Sequence, residues 1–282
     1  MDGNDFLFKN EVEAGIRFKF GENWIEFLKI LNDTRIKESE TTLCQMLDVS
    51  SLKDKYFLDI GSGSGLHSLA ARNLGANVLS FDYDTDSVNC TIYLKNKYYP
   101  NDDASWIVKQ ASVLEKKFMD TLPQFDYVYS WGVLHHTGNM YTSISYSMEK
   151  VKPNGFFYIA LYRKTIFDNF WKWFKKYYTR SGKRTQHFFQ NIWAIKIRLA
   201  FFVKRKDFNK MIKEYHTERG MNFFNDIHDW LGGYPYEAIT PAECRLFFEK
   251  NNFKLIKQNI VKEGVSKSFS SGCDEYLFQK IT

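Results

Sequence analysis

Short apolar runs alternate with amphipathic stretches between Lys55 and Tyr162. Five apolar runs predict buried strands, at residues 56–60, 77–81, 106–109, 125–129 and 155–161. Three stretches between them carry apolar residues at helical spacing, at residues 65–74, 86–97 and 142–151. This strand–helix order predicts an α/β fold in which helices cover a parallel sheet.

Shorter patterns flank this core. Residues 24–31 and 41–47 predict two amphipathic helices before it, and residues 241–250 predict one helix after it. Residues 253–261 and 275–281 predict two final strands, and the turn-rich residues 268–272 would join them as a hairpin at the sheet edge.

Composition excludes several classes of protein. Apolar residues make up 44% of the chain and aromatic residues 18%, with a mean hydropathy of −0.43, which is typical of globular rather than disordered or membrane-spanning proteins. The first residues are acidic and precede no apolar stretch, so we expect no secretory signal and a cytoplasmic location. The four cysteines lie far apart without a C-x-x-C pair, which argues against zinc ribbons, redox motifs and a disulfide framework.

A glycine-rich loop follows the first predicted strand. Residues 58–65 read Leu-Asp-Ile-Gly-Ser-Gly-Ser-Gly, which places Gly61, Gly63 and Gly65 where a strand gives way to a helix. Open α/β sheets bind ligands at that point, and glycines there let backbone N–H groups approach a ligand closely. A dinucleotide-binding fingerprint needs its third glycine where this chain has Leu66, so the loop predicts a different ligand.

Two acidic residues narrow the choice of ligand. Asp82 ends the second predicted strand, where a carboxylate can accept hydrogen bonds from both hydroxyls of a ribose. Asp59 precedes the glycines, where its charge would repel a pyrophosphate but attract the ammonium group of an amino acid. The pair favours S-adenosylmethionine (SAM) over a nicotinamide dinucleotide.

The fourth predicted strand leads into two histidines. Residues 130–136 read Ser-Trp-Gly-Val-Leu-His-His, and only His135 and His136 of the six histidines lie at this edge of the sheet. An imidazole titrates near neutral pH and can take the proton of an alcohol, so either is a candidate general base. The alternative is that one orients the loop while the other packs against cofactor or core. We interpret His67, on the first core helix, as a packing residue.

Together these segments resemble the class I SAM-dependent methyltransferases, in particular the quinone-biosynthesis O-methyltransferases of the 3-demethylubiquinone type. The resemblance covers about residues 55–162 and rests on FLDIGSGSGLHSLAARNLGANVLSFDYD, FDYVYSWGVLHHTGNM and VKPNGFFYIALY. It implies a Rossmann-like class I methyltransferase fold, with a seven-stranded, mostly parallel sheet and an antiparallel last strand. A helical N-terminal cap and a helical insertion after the fifth strand would complete it.

The resemblance also implies which residues bind the cofactor. Asp82 would hold the ribose, and Tyr83 would pack beside the adenine. Ser112 stands where many relatives have aspartate, and it would accept less strongly from the adenine amino group. Ser130 and Trp131 lie at the end of the fourth strand, which in the family faces the sulfonium and the acceptor. The methionine part of SAM would contact the glycine loop and the acid before it: Asp59, Gly61, Ser62, Gly63 and Gly65.

The predicted reaction transfers the methyl group of SAM to a hydroxyl oxygen of a small molecule and releases S-adenosylhomocysteine (SAH), without a metal ion. The catalytic candidates are His136 and His135. The acceptor is expected to be a sugar-like or phosphate-bearing precursor, or a phenolic quinone precursor. The alternatives are methylation of nitrogen or carbon, and a non-catalytic SAM-binding module associated with a membrane.

The resemblance divides the chain into four parts. Residues 1–50 are predicted to be a helical cap or lid, in which residues 17–24 either cover the acceptor or dock on the core. The remaining parts are a SAM-binding core at 51–162, a basic, aromatic-rich helical insertion with an acceptor-site segment at 163–238, and a C-terminal helix and strand hairpin at 239–282. Within the insertion, residues 226–237 predict either a polar, aromatic acceptor pocket or a packed turn.

The insertion also concentrates the positive charge. Residues 163–213 hold fifteen Lys and Arg against two acidic residues, a net charge of +13, which leaves −7 on the rest of a chain whose total is +6. Residues 166–178 predict an amphipathic helix with Lys172, Lys175 and Lys176 on its polar face. This basic face could meet an anionic membrane surface, face solvent while the aromatic face packs on the core or a second subunit, or receive an acidic acceptor. No motif predicts nucleic-acid binding.

Overall fold

The computed structural model describes residues 3–101, 104–219, 223–261 and 272–282. A single seven-stranded sheet forms its centre, in the order β3-β2-β1-β4-β5-β7-β6. The strands are β1 (Tyr56–Ile60), β2 (Asn77–Asp82), β3 (Trp106–Gln110), β4 (Phe125–Trp131), β5 (Val151–Tyr162), β6 (Phe253–Asn259) and β7 (Cys273–Lys280).

Helices precede, connect and follow these strands. Those before the sheet are α1 (Gly3–Glu13), α2 (Gly21–Ile30) and α3 (Asp33–Leu47). Those between its parallel strands are α4 (Leu66–Asn73), α5 (Thr85–Tyr98), α6 (Lys116–Thr121), a 3-10 turn (Leu134–His136) and α7 (Met140–Glu149). The insertion contains α8 (Asp168–Arg180), α9 (Lys183–Val203), α10 (Phe208–Arg219) and α11 (Phe223–Gly232), and α12 (Pro241–Lys250) precedes the final hairpin.

The sheet topology confirms the predicted fold class. β1 to β5 pair in parallel, while β7 runs antiparallel to both β5 and β6. β1 lies between β2 and β4, so the strand order reverses beside it. Ligands bind in such sheets outside the carboxyl ends of the strands at this reversal. The glycine loop and the two histidines both follow strands that end there.

Apolar residues on both faces of the sheet explain why its strands appear as continuous apolar runs. Leu58 and Ile60 belong to a core covered by α7 and α12, where Phe248 stacks on Phe278 with 3.8 Å between ring centroids. Phe57 faces the opposite core, which is covered by α3, α4 and α5.

Several elements differ from the sequence prediction. The helix predicted at residues 41–47 begins at Asp33, because Asn32 caps it by accepting from the backbone N–H of Arg35. α1 was not predicted, since only Asp5 and Phe8 of its residues are buried and it shows no apolar stripe. β5 begins at Val151 rather than at residue 155, and a register irregularity in its pairing with β4 accommodates the extra residues.

The C-terminal prediction is confirmed in part. α12 spans the predicted residues, and β6 and β7 form an antiparallel pair at the sheet edge. All of the predicted 268–272 turn except Gly272 lies outside the described residues. The four cysteines are free thiols. Among the described helices, none combines the length and apolar character needed to cross a bilayer.

Candidate active site

The glycine loop adopts a backbone that side chains would disrupt. Gly61, Gly63 and Gly65 have φ of 77°, 54° and 82°, in the left-handed region that favours glycine. A Cβ added at Gly61 would lie 2.4 Å from Val133, and one at Gly63 would lie 3.0 Å from the indole of Trp24. The loop is therefore a close-approach turn, wedged between the end of β4 and α2.

Two buried carboxyl groups flank this loop. Asp82 accepts at Oδ2 from the backbone N–H of Gly63 and at Oδ1 from that of Asp84, both at 2.9 Å. Asp59 accepts from the hydroxyl of Ser68 at 2.5 Å, and Ser68 in turn contacts the hydroxyl of Ser80 at 2.6 Å. Burial raises the pKa of each carboxyl to about 7, against the opposing effect of these hydrogen bonds.

These groups fit SAM. The glycine loop offers backbone N–H groups without side chains in the way, and the buried carboxyl groups of Asp59 and Asp82 lie beside it. A bound cation, or hydroxyl groups that donate hydrogen bonds, would favour the ionised form of these carboxyls. Asp59 and Asp82 also raise each other's cost of ionisation, as the Coulombic effect of Asp82 on the Asp59 pKa shows. A cationic ligand would relieve that repulsion, whereas a pyrophosphate would add to it.

The predicted adenine side lies past the end of β2. The ring of Tyr83 meets Phe8 edge-on at 5.3 Å, and the guanidinium of Arg17 lies 5.0 Å above it. Ser112 accepts from the backbone N–H of Leu114 at 3.2 Å, in the turn that follows β3. Their predicted contacts with adenine stay predictions.

The three other predicted cofactor residues make contacts within the protein. Ser62 bonds the hydroxyl of Thr91 at 2.9 Å, and Ser130 donates to the carbonyl of Ile60 at 3.0 Å. Trp131 is half exposed, and its indole Nε1 donates to Glu275 on β7 at 2.8 Å. The structure thus brings Ser62 and Ser130 to the loop, while the Trp131 side chain lies across β5, on the side of β4 away from β1.

The N-terminal segment at residues 17–24 contacts both the cofactor loop and the insertion. On the cofactor side, Gly21 donates to Asp84 at 2.7 Å and Lys19 pairs with Asp86 at 2.8 Å. On the opposite side, the backbone N–H of Phe18 donates to the carbonyl of Tyr234 at 2.7 Å. The segment therefore spans the two halves of the site.

The two candidate bases have opposite proton arrangements. His136 Nδ1 lies 2.7 Å from the carbonyl oxygen of Pro235, which only accepts, so Nδ1 carries the proton and Nε2 a lone pair. His135 Nδ1 accepts from the backbone N–H of Tyr162 at 3.3 Å, so its neutral ring carries the proton on Nε2. Burial lowers the pKa of His136 to about 3 and that of His135 well below its usual value, which keeps both rings neutral.

A buried lysine extends the site towards the insertion. Lys175 on α8 is fully buried, donates to the carbonyl of Trp230, and lies 4.7 Å from the ring of Trp230, 5.4 Å from Tyr236 and 6.0 Å from Tyr162. Burial lowers its pKa to about 7, although the carboxyl of Asp229 opposes that shift. Within the described residues Lys175 forms no ion pair.

The prediction that Lys175 lies on the polar face of α8 was therefore wrong. Trp171, Lys175 and Tyr178 recur at helical spacing and are all buried, so this lysine belongs to the inner face. The spacing of Lys175 from Trp171 and Tyr178 was the available signal. Its charge obscured that signal, since buried lysines are rare.

Three buried polar atoms beside these groups have no hydrogen-bond partner among the described residues. They are Nε2 of His135, Nε1 of Trp171 and Oδ1 of Asp229. Burial raises the pKa of Asp229 to about 8, and its carboxyl is also bonded by Asn23 of α2. Unsatisfied buried polar groups are costly, so these atoms are candidates to contact a polar ligand.

Two further histidines, His67 and His228, make contacts within the protein. His67 lies against the ring of Tyr129 at 5.1 Å, and burial lowers its pKa to about 4. His228 lies in α11, where Nδ1 is 2.7 Å from the hydroxyl of Tyr178 and the ring contacts Phe18. Among the described residues, no group of three or more His, Cys, Asp or Glu side chains is arranged to hold a metal ion.

Comparison with known proteins agrees with this geometry. The family described as "Methyltransferase domain" matches residues 58–159, from β1 to β5. The match contains the glycine loop, Asp82 and both catalytic candidates, and it agrees with the predicted resemblance to methyltransferases.

Two curated relatives each match part of this chain. A ubiquinone biosynthesis O-methyltransferase of Colwellia psychrerythraea is 27% identical over 113 residues, which are 40% of this chain and 44% of the relative. A ribosomal protein L11 methyltransferase of Prochlorococcus marinus is 51% identical over 53 residues, 18% of each chain. The matched region thus spans less than half of either relative.

A solved structure extends the likeness to the fold. The magnesium protoporphyrin IX methyltransferase of Synechocystis PCC 6803, solved with bound SAH, superposes with a TM-score of 0.51 at 11% identity, over 87% of this chain and 83% of that one. At this identity the likeness concerns the fold alone.

Proposed function

We propose that this chain transfers the methyl group of SAM to a hydroxyl oxygen of a small acceptor, which binds between His136 and the inner face of α8. The observation that carries the proposal is the Nε2 lone pair of His136, which belongs to a buried neutral ring after β4. A hydroxyl must lose its proton during methylation, whereas an unprotonated amine can attack without a base. The matched Colwellia relative is itself named as an O-methyltransferase.

The chain's own groups divide the work of the reaction. SAM, when bound, supplies a methyl group activated by a positive sulfur. Pro235 fixes the ring of His136, whose Nε2 takes the acceptor proton once an anionic group of the bound acceptor raises the pKa that burial has lowered to about 3. His135 offers a buried N–H that can orient a polar group of the acceptor. The segment at residues 17–24 excludes water from the site. Its Trp24 covers the glycine loop at Gly63, and the guanidinium of Arg17 donates to the carbonyl of His136 at 3.1 Å.

The groups on the insertion favour an acceptor that carries an anionic group beside its reacting hydroxyl. Lys175 supplies a buried amine that an anionic group would hold in its protonated form, and the Trp171 indole offers a second donor. A sugar-like or phosphate-bearing precursor matches that chemistry. A phenolic quinone precursor is the second candidate, since Tyr162 and Tyr236 provide aromatic surface near Lys175.

A methyl-transfer screen tests the proposal. Purified protein is incubated with methyl-labelled SAM and separate pools of phosphorylated sugars, phenols and amines, and product is assigned by mass and by resistance to acid and base. We expect a hydroxyl-bearing product and a loss of about 100-fold or more in turnover for His136→Ala. SAH affinity should stay within about threefold, because His136 is assigned to the acceptor side.

Other outcomes would identify the competing functions. Turnover that is nearly unchanged in both His136→Ala and His135→Ala, with a product from the amine pool, would indicate N-methylation. Tight SAH binding without methyl transfer to any pool would indicate a non-catalytic SAM-binding module.

A further inference from the structure

Helix α9 exposes a row of large apolar side chains on its outward face. Between 46% and 80% of the surface of each is exposed, and they recur every three or four residues: Phe188, Ile192, Ile195, Leu199, Phe202 and Val203. The opposite side of the helix is also apolar, since Trp193 stacks on Trp230 of α11 at 4.6 Å. α9 therefore has one apolar face packed inside the insertion and a second one uncovered.

Helix α8 presents a similar row beside it. Phe170, Trp173 and Tyr177 are each about half exposed or more. Phe189 of α9 contacts Phe174 at 5.1 Å and Tyr177 at 6.1 Å, which joins the two helices. We call these nine side chains the outer face: Phe170, Trp173, Tyr177, Phe188, Ile192, Ile195, Leu199, Phe202 and Val203.

The charge around the outer face indicates what covers it. Residues 163–213 carry a net charge of +13, and their only acids are Asp168 and Asp207. Exposed basic residues lie on both helices and just past α9: Lys172, Lys176, Lys183, Arg184, Arg198, Lys204, Arg205 and Lys206. A second copy docking through the same face would bring like charges together, whereas an anionic lipid surface is complementary.

We infer that the outer face binds the surface of an anionic lipid bilayer. Apolar side chains in one row, aromatic residues and flanking Lys and Arg are the features of a helix that lies in the membrane interface. α9 has 21 residues and so is about 30 Å long. It lies along the surface rather than across it, in agreement with the absence of a membrane-crossing helix among the described residues.

Vesicle co-sedimentation with a matched pair of variants tests this inference. Leu199→Glu and Asn191→Glu each add one negative charge to an exposed position of α9, but only the first removes an outer-face side chain. The vesicles are phosphatidylcholine with about 40% phosphatidylglycerol, and pure phosphatidylcholine is the comparison. We expect the wild type to bind the anionic vesicles, Leu199→Glu to bind about tenfold more weakly, and Asn191→Glu to lose about threefold at most.

A failure of lipid binding can be distinguished from a failure of the proposed methyl transfer. SAH affinity, measured on the same samples, reports folding and the cofactor site separately from lipid binding. The inference is overturned if the wild type binds neither vesicle, if it binds both equally, or if the two variants lose the same amount. A wild-type dimer in the analytical ultracentrifuge that Leu199→Glu dissociates, without vesicle binding, would assign the outer face to a second copy instead.

Discussion

Burial of Asp59 has a cost that depends on pH. The pKa of this carboxyl is raised to about 7 in the folded chain, above its value in the unfolded chain, so the folded state retains the proton longer. Its contribution to stability is therefore present below the unfolded pKa and is lost as pH rises from about 4 through 7. In the bound state, a cationic ligand would offset that cost.

The variant Asp59→Asn isolates this effect because it cannot ionise. Without cofactor, we expect the free energy of unfolding of Asp59→Asn relative to the wild type to increase by about 2 kcal/mol between pH 5 and pH 8. Urea unfolding at both pH values measures it, with the exposed Asp120→Asn as control. A relative stability independent of pH would show that Asp59 ionises as an ordinary surface acid does.

Lys175 and Lys176 are neighbours on α8 with opposite environments, one buried and one exposed. Lys175→Met fills the aromatic surroundings with an apolar chain and removes the buried charge, so the fold should persist. We expect KM for the acceptor to rise about tenfold or more while SAH affinity is unchanged, because the lost contact is with the acceptor. Lys176→Met should alter neither value, and steady-state kinetics without vesicles measures both. Equal effects of the two variants would remove Lys175 from the acceptor site.

At the scale of elements, α2 joins the cofactor loop to the insertion. Trp24 lies against Gly63, whereas its neighbour Ile25 is exposed. Trp24→Ala opens the loop to solvent, so we expect SAH to bind about tenfold more weakly and to dissociate faster. Ile25→Ala should leave both unchanged. Stopped-flow displacement of SAH measures the rates, and identical rates in the two variants would assign α2 a purely structural role.

The parallel strands could be predicted from sequence because both of their faces are buried, which leaves continuous apolar runs of strand length. Helices that bury few side chains could not be predicted from sequence. α1 buries only Asp5 and Phe8 and is held by contacts such as Thr85 with Asp5 at 2.6 Å, which connect residues far apart in the chain. Such tertiary contacts leave no periodic pattern in the sequence.

The candidate site also has parts that the sequence predicts and parts that only the fold brings together. The glycine loop was predicted because adjacent residues carry its pattern, and Asp82 was predicted because it ends the second strand. The structure places them together. The tautomers of the two histidines depend on the backbone groups of Pro235 and Tyr162, which only the fold brings near. Residues 226–237, left open by the sequence between pocket and turn, form most of α11 and the loop after it, and they place Asp229 beside the inner face of α8.

In the whole molecule, the insertion presents two different sides, one towards the rest of the protein and one towards solvent. The inner face of α8 holds Lys175 against the acceptor side, while its outer face carries Trp173 and Tyr177 into solvent. A helix is about 10 Å across, so a bilayer on the outer face would lie that far from the acceptor groups. The total of +6 is the sum of +13 on residues 163–213 and −7 on the rest of the chain.

Binding of SAH decides whether the glycine loop and Asp82 form a cofactor site, on which the proposed methyl transfer depends. Calorimetric titration of the wild type should show one site of micromolar affinity. Asp82→Ala should weaken it about tenfold or more by removing the acceptor for the ribose hydroxyls, while the exposed Asp120→Ala should not change it. No binding by the wild type, or undiminished binding by folded Asp82→Ala, would contradict the account.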